Sequence, residues 1–252
     1  MNLLRKIFIK VLGIQLYLTF ISKVYVCMTK KGFLKKKYPE LFFLHKIIKT
    51  GDTCIDIGAN LGYYSTKMSI LCGKNGKVFA VEPVPMFYNI WSKNVKQSKI
   101  SNLELFPFAL GSSEGVIQMG MPEKDGLAHH GMTKVASTSN ETFVKFFDVN
   151  MKVPDQLFSK LNRLDFIKCD IEGYENIAFA NMVETLKRYT PVIQSELGGD
   201  ENRAKVISQL ESLGYTTYIL NINKLEKASQ EIKNSYTSDF YFLQEKHSWL
   251  LQ

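Results

Sequence analysis

The chain has 252 residues, of which 45% are hydrophobic and 22% are charged, as in ordinary globular proteins. This composition fits one large domain, or one domain with an appendage, and excludes a disordered chain, a collagen and a disulfide scaffold. The formal net charge is +8, and only four of the 32 basic residues are Arg. We interpret the positive charge as a compositional bias rather than a nucleic-acid surface, because phosphate and base recognition favours arginine.

Residues 1–50 differ from the rest and form a predicted N-terminal helical extension. The uncharged apolar run Val11–Ser22 has 12 residues, too few for a standard bilayer span. It resembles the start of a signal peptide, but no cleavage site follows, and we expect the segment to be retained. We favour a helix that packs on the main domain. The alternative is peripheral contact of residues 1–37 with an anionic inner membrane face. A second helix is predicted from Pro39 to Lys49.

From residue 51 to 252, short apolar runs alternate with amphipathic stretches. This alternation predicts an α/β domain with a mostly parallel seven-stranded sheet and helices on both faces. No helical pattern separates the last two strands, so one of them is predicted to be antiparallel. The predicted strands are Thr53–Ile57, Lys77–Glu82, Leu103–Leu110, Leu164–Cys169, Pro191–Leu197, Tyr215–Leu220 and Asp239–Gln244, with an extra strand at Val116–Met121. The predicted helices are Tyr63–Cys72, Val84–Gln97, Glu175–Tyr189 and Asn202–Leu213.

Two further features of the chain are a polar segment at residues 122–141 and the four cysteines. Residues 122–141 are polar and contain glycine, and we predict a long loop there. The four cysteines show no CxxC spacing, and we expect reduced, buried thiols in a cytoplasmic protein. They are Cys27, Cys54, Cys72 and Cys169.

A glycine-bearing turn follows the first predicted strand, at Asp56–Gly62. Gly58 permits a tight turn and Gly62 lets the next helix start close to a ligand, whereas Asn60 tolerates left-handed backbone angles. Glu82 ends the second strand, where a dinucleotide fold places the acid that binds ribose hydroxyls. Such an acid repels a 2′-phosphate, which argues against NADP. NAD remains a rival, although its G-x-G-x-x-G fingerprint is absent, and a plain strand–turn–helix corner is the structural alternative.

A second group of polar residues follows the fourth strand, at Phe166–Glu175. Ligands of open α/β sheets sit beyond the carboxyl ends of strands near the switch in strand order. We therefore expect Asp170 and Glu172 to converge with Asp56 on one cleft. Glu175 is assigned only to the start of the following helix.

Five motifs occur in order and together resemble the FkbM family of S-adenosylmethionine-dependent methyltransferases. They are Asp-Ile-Gly-Ala-Asn-x-Gly-x-Tyr-Ser at 56–65, Val-Glu-Pro at 81–83, Ala-Leu-Gly at 109–111, Phe-Ile-Lys-x-Asp-Ile-Glu-Gly-Tyr-Glu at 166–175 and Pro-Val-Ile-x-x-Glu at 191–196. One departure is Val153-Pro154-Asp155, where the family has Thr-Leu-Asp. The resemblance implies a Rossmann-like class I methyltransferase fold and O-methylation of a hydroxyl on a sugar, glycan or related small molecule.

The resemblance also implies which residues bind S-adenosyl-L-methionine. The predicted cofactor-binding residues are Asp56, Gly58, Ala59, Asn60, Gly62, Tyr63, Glu82, Pro83, Ala109 and Asp170.

Methyl transfer to a hydroxyl benefits from a general base. Asp170 and Glu172 are the first candidates, and Lys168 is predicted to pair with them in one cluster. Asp170 is alternatively a ligand of the cofactor's ammonium group. His129 and His130 are further candidates for the base, and no metal is predicted because no ligand set is complete.

Two other functions remain open at this point. One is a nucleic-acid methyltransferase, although the segment after the fourth strand lacks the Asn/Asp-Pro-Pro-aromatic motif and its acids repel phosphate. The other is a non-catalytic binding module at the membrane.

Overall fold

The computed structural model describes residues 2–97, 101–124, 127–138 and 141–252. The helices within these ranges are α1 Asn2–Lys30, α2 Pro39–Ile47, α3 Tyr63–Cys72, α4 Pro85–Gln97, α5 Pro154–Leu157, α6 Glu175–Ala180, α7 Val183–Tyr189, α8 Asp200–Ser212 and α9 Gln230–Ser235. The strands are β1 Thr53–Ile57, β2 Lys77–Val81, β3 Leu103–Phe106, β4 Ala109–Leu110, β5 Gly115–Lys124, β6 Leu127–Ala128, β7 Lys134–Val135, β8 Phe143–Lys152, β9 Phe166–Cys169, β10 Val192–Glu196, β11 Thr216–Asn221, β12 Lys224–Lys227 and β13 Asp239–Leu243.

The main sheet has eight strands in the order β12-β11-β13-β10-β9-β1-β2-β3. Strands β3, β2, β1, β9 and β10 are mutually parallel, and β13 runs antiparallel to both of its neighbours. This confirms the predicted seven strands and the antiparallel one among them. Two elements between β11 and β13 were not predicted: β12, which pairs antiparallel with β11, and helix α9. Apolar clusters cover both faces of the sheet, which is why β9 and β13 are buried along their whole length.

The strand order reverses between β1 and β9. The chain proceeds from β1 through β2 to β3 on one side and from β9 to β10 on the other. The carboxyl ends of β1 and β9 therefore meet at a switch point, where a ligand cleft is expected.

Within the described residues of the range 122–141, the prediction of a long loop was wrong; residues 125, 126, 139 and 140 lie outside the described part of the chain. Strand β5 continues to Lys124 and pairs with β8 and β7, forming a second sheet in the order β4-β8-β5-β6. Strand β8 was not predicted because most of its side chains are at least partly exposed, so its apolar alternation is weak. This sheet is an insertion between β3 and β9.

Other boundaries also differ from the prediction. The third strand divides at Pro107, so β3 joins the main sheet and β4 the second. The predicted helix Glu175–Tyr189 is two helices, and the Asp155 carboxylate accepts hydrogen bonds from the Glu184 and Thr185 amides at the start of α7. The second N-terminal helix ends at Ile47 rather than Lys49. Three of the cysteines are buried as predicted, but Cys27 is exposed.

Helix α1 packs along the domain, as the sequence analysis favoured. Leu18 is buried against Phe87 and Ile90 of α4, and the Arg5 guanidinium donates to the Ala128 carbonyl at 3.0 Å. Gly13 interrupts the helix with φ 72°. The division of the chain at residue 50 stays a prediction.

Helix α1 is longer than its uncharged run. Over Arg5–Lys30 it is long and apolar enough to cross a membrane, and no other helix in the described ranges is. Length and composition alone are weak support for a span, because core helices and signal sequences share them.

Candidate cofactor and acceptor site

The turn after β1 is held to the end of β2 by backbone hydrogen bonds. The amides of Gly58 and Ala59 both donate to the Val81 carbonyl at 3.0 Å. Gly58, Asn60 and Gly62 have φ angles of 80°, 45° and 91°, in the left-handed region that glycine and asparagine tolerate best. The local sequence therefore determines the shape of this turn.

The two glycines of the turn have different neighbours. A Cβ atom on Gly58 would lie 1.9 Å from the Asp170 carbonyl oxygen, so Gly58 allows the ends of β1 and β9 to approach. A Cβ on Gly62 would lie 2.8 Å from Trp91 Cδ1. Gly62 thus permits packing of α3 against α4, and its predicted contact with the cofactor stays a prediction.

Glu82 lies beneath the turn rather than in the open cleft. Its carboxylate accepts hydrogen bonds from the Asn60 and Val84 amides, both at 2.8 Å. Burial raises the pKa of Glu82 to about 7, against the opposing effect of these two amides. Each carboxylate oxygen can accept a second hydrogen bond, and the ribose contact stays a prediction.

A cavity of about 710 Å³ opens at the switch point. Most of the predicted site residues line it: Asp56, Gly58, Ala59, Asn60, Tyr63, His130, Lys168 and Asp170. Pro83 and Ala109 line an adjoining apolar cleft of about 30 Å³. Gly58 lines both spaces, so the two adjoin at the turn. Gly62, Glu82, His129 and Glu172 line neither.

Lys168 is buried at the floor of the cavity between two carboxylates. Its Nζ lies 3.2 Å from Asp239 Oδ1 and 3.5 Å from Asp170 Oδ2. Burial by itself lowers the pKa of Lys168, but the charges of Asp170 and then Asp239 outweigh it and hold that pKa above its ordinary value. The predicted pairing of Lys168 with Asp170 is present. The second carboxylate on this lysine is Asp239 rather than Glu172, a correction to the predicted cluster.

Two further carboxyl groups lie near Asp170. Burial, and then the charge of Asp170, raise the pKa of Glu172 to about 8. The backbone of Glu172 has a φ of 56°, an uncommon conformation for a residue other than glycine. Partial burial, and then the charge of Asp170, raise the pKa of Glu196 to about 7. Part of this side chain is nevertheless exposed. Glu172 is therefore mostly protonated at neutral pH.

Of the two candidate histidines, His130 lines the cavity and His129 does not. His130 lines the cavity and packs edge-on against Phe87, with 6.0 Å between the ring centroids. Burial, and then the charge of Arg5, lower the pKa of His130 to about 4. Its imidazole is therefore neutral at pH 7 and is a weaker base than a carboxyl group with a pKa near neutrality.

One wall of the cavity contains none of the residues that were predicted for the site. This wall comes from α1 and the segment before α2, and it includes Arg5, Tyr17, Tyr25, Lys37 and Tyr38. No local pattern marks these residues, because the wall exists only once α1 has packed on the domain. Asp239 was also not predicted, although a charged residue at the start of a buried apolar strand was a usable signal.

Comparison with known proteins identifies the family. The family described as Methyltransferase FkbM domain matches residues 56–217. Methyltransferase FkbM from Methylobacillus flagellatus has the same fold, with a TM-score of 0.52 and 12% identity over 79% of this chain and 47% of that one. The chain belongs to the FkbM family, a class of methyltransferases that use S-adenosylmethionine.

Two curated relatives are similar over a shorter segment. Protein-L-isoaspartate O-methyltransferases of Thermosipho melanesiensis and Methanococcoides burtonii are 34% and 36% identical to it over 56 residues. That segment is 22% of this chain and 28% of either relative, so the chain matches less than a third of their length.

The residues around the cavity fit S-adenosylmethionine. The ligand carries cationic groups, and the cavity presents the carboxyl groups of Asp56 and Asp170. Asn60 also lines it, and the buried Asn60 Oδ1 has no hydrogen-bond partner in the protein, which suits an acceptor of a ligand hydroxyl or amine. In the described part of the chain, no three His, Cys, Asp or Glu residues are grouped to hold a metal ion.

Proposed function

We propose that this protein is an active S-adenosylmethionine-dependent O-methyltransferase whose acceptor is a hydroxyl group of a sugar, a glycan or a related small molecule. The observation that carries this proposal is the single cavity shared by the Gly58 turn, the Lys168–Asp170 pair and the tyrosines opposite. Its volume of about 710 Å³ is in the range of cofactor and ligand sites.

The cofactor supplies a methyl group on a sulfonium sulfur, which is already reactive toward an oxygen nucleophile. The protein has to orient the acceptor and take its proton, because an alcohol is barely ionised at pH 7. Asp170 reaches the cavity and its side chain is 35% exposed, so it can accept that hydrogen bond directly. The fixed Lys168 holds this carboxylate in place. Glu172, with a pKa of about 8, is the alternative base.

The cavity wall supports a sugar-like acceptor. Five tyrosines line the cavity: Tyr17, Tyr25, Tyr38, Tyr63 and Tyr64. A tyrosine ring offers an apolar face and its hydroxyl offers a hydrogen bond, a combination suited to a ring that carries both C–H and O–H groups. The carboxyl groups near the floor disfavour a phosphate backbone at the reacting atoms, and nucleic acid is not our proposed substrate.

The state of the cysteines supports a cytoplasmic location within this proposal. The sulfur atoms of the buried Cys54 and Cys72 lie 3.5 Å apart, and both residues are free thiols. Adjacent reduced thiols are typical of a reducing compartment.

Transfer of a radiolabelled methyl group tests the proposal. Purified protein and labelled S-adenosylmethionine are incubated in parallel with host glycans and sugar nucleotides, total RNA, and isoaspartyl peptides. We expect label in the carbohydrate fraction, in an alkali-stable ether. Label only in RNA or only as a peptide methyl ester would overturn the acceptor class, and binding of the cofactor without transfer to any fraction would favour a binding module.

A further inference from the structure

The excess of basic over acidic residues in this chain comes from its first 39 residues. Nine of the 32 basic residues and none of the 24 acidic residues precede Glu40, so the remainder has 23 basic and 24 acidic residues. A compositional bias would spread along the chain. The charge is therefore a property of α1 and the segment that follows it, which corrects our interpretation of the composition.

Helix α1 has apolar side chains on two opposite faces. One face packs on the domain through Leu18 and Ser22, and the Ser22 hydroxyl donates to Asn94 Oδ1 at 3.4 Å. The other face carries Leu16, Phe20 and Val24, spaced by four residues and exposed by 61%, 64% and 37%. A surface helix of a water-soluble domain normally has polar residues on that outer face.

The exposed apolar residues extend beyond these three. Eight of the fifteen large apolar side chains exposed in the described ranges lie between residues 7 and 33. The eight are Ile7, Phe8, Val11, Leu12, Leu16, Phe20, Val24 and Phe33. We call them, with six exposed lysines among and after them, the α1 outer face; the six are Lys6, Lys10, Lys23, Lys31, Lys35 and Lys36.

We propose that the α1 outer face docks this protein on an anionic lipid surface, with α1 lying in the plane of the interface. An apolar stripe flanked by lysines is the pattern of interfacial helices, whose apolar side enters the acyl boundary while lysines meet anionic headgroups. The charge of the segment is complementary to such lipids, because it includes no acidic residue. A neutral protein partner would leave these lysines without a counter-charge.

Contacts at both ends of α1 distinguish docking from spanning. Arg5 is bonded to Ala128 of the second sheet, and Tyr25 packs on Tyr63 with 5.1 Å between ring centroids. A helix that crossed the bilayer would break these contacts. Because Tyr17, Ile21 and Tyr25 line the cavity, docking would place the cavity beside the lipid surface.

Vesicle co-sedimentation of the full chain tests this inference. The probes are vesicles of phosphatidylcholine alone and of phosphatidylcholine mixed with phosphatidylglycerol. We expect binding to the mixed vesicles, weakened by salt and reversed by an alkaline wash. The triple variant Leu16→Ser, Phe20→Ser, Val24→Ser should bind at least ~10-fold more weakly, because each lost apolar side chain removes buried area. Its affinity for S-adenosylmethionine should not change, since none of the three lines the cavity.

A matched control variant replaces the same number of exposed apolar side chains on the second sheet. The variant Val116→Ser, Val144→Ser, Phe146→Ser changes side chains that are exposed by 70%, 45% and 52%, and it should bind vesicles as the wild type does. No wild-type binding to mixed vesicles, equal weakening in both triple variants, or a dimer that the α1 variant abolishes would overturn the proposal. Retention after the alkaline wash would overturn the in-plane arrangement.

Discussion

At the scale of single residues, the floor of the cavity depends on one buried lysine with two carboxylate partners. Asp239 is buried, and it also accepts a hydrogen bond from Gln194 Nε2 at 2.7 Å. Asp170 is the partner that reaches the cavity. The two carboxylates thus have separable roles, since Asp239 can keep the charge of Lys168 paired when Asp170 is neutralised.

Asp170→Asn is therefore expected to fold and to lose activity. If Asp170 is the base, turnover should fall by ~10²-fold or more while cofactor affinity stays near the wild-type value. Steady-state kinetics and calorimetric titration of S-adenosylmethionine measure the two quantities. A parallel loss of affinity would assign Asp170 to the cofactor's ammonium group instead. Unchanged turnover in both Asp170→Asn and Glu172→Gln would remove this group from the mechanism and leave His130 as the next residue to test.

At the scale of elements, the site depends on how closely the ends of β1 and β9 approach. The Asp170 amide donates to the Ile57 carbonyl at 3.0 Å, and the Gly58 turn leaves no room for a side chain beside the Asp170 carbonyl. Backbone packing at this point aligns Asp56 and Asp170 on one cavity.

Gly58→Ala should destabilise the chain more than Gly51→Ala. Both glycines have positive φ angles, of 80° and 91°, so alanine is strained at either position. Only Gly58 has a backbone neighbour in the way, because nothing lies within 4 Å of a Cβ on Gly51. We expect an additional loss of ~1–3 kcal/mol in the free energy of unfolding, measured by urea denaturation, and weaker cofactor binding. Equal losses in the two variants would show that the close approach at Gly58 has no energetic role.

At the scale of the whole molecule, charge is divided between two regions. The cavity is lined both by the carboxyl groups of Asp56 and Asp170 and by Arg5 and Lys37 of the basic N-terminal segment. Several carboxyl groups at and near the cavity have raised pKa values because burial disfavours their charged form: Asp56, Glu82, Glu172 and Glu196. These carboxyl groups consequently hold protons near neutral pH.

The pH dependence of stability should reveal these protons. The pKa of Glu172 is about 8 in the folded protein, against an ordinary value of 4.5 for a glutamate side chain in water. Its contribution to stability is therefore fully present below pH 4.5 and is lost as the pH rises through about 8. Glu172→Gln should reduce the fall in the free energy of unfolding between pH 5 and pH 9, relative to the wild type.

Urea denaturation at several pH values measures this difference. The exposed Glu184→Gln in α7 is the control, and it should leave the pH profile unchanged. Parallel profiles for wild type and Glu172→Gln would contradict the raised pKa of Glu172.

The sequence by itself determined the sheet and the turn that begins the site. Strands β1, β2 and β9 are short apolar runs, and the φ angles of Gly58, Asn60 and Gly62 require the residue types found there. Such signals are local, since periodicity and glycine conformation act within a few residues. They also sufficed for the family, and for the expectation that the ends of the first and fourth strands share one cleft.

Only the tertiary structure decided which residues complete the site. Lys168 and Asp239 are 71 residues apart in sequence, and the tyrosines of α1 reach the cavity only because the helix folds back over it. The exposed stripe on the opposite face of α1 became apparent for the same reason. An apolar run has the same composition whether one face or all of it is buried, and only packing shows which side chains remain in contact with solvent.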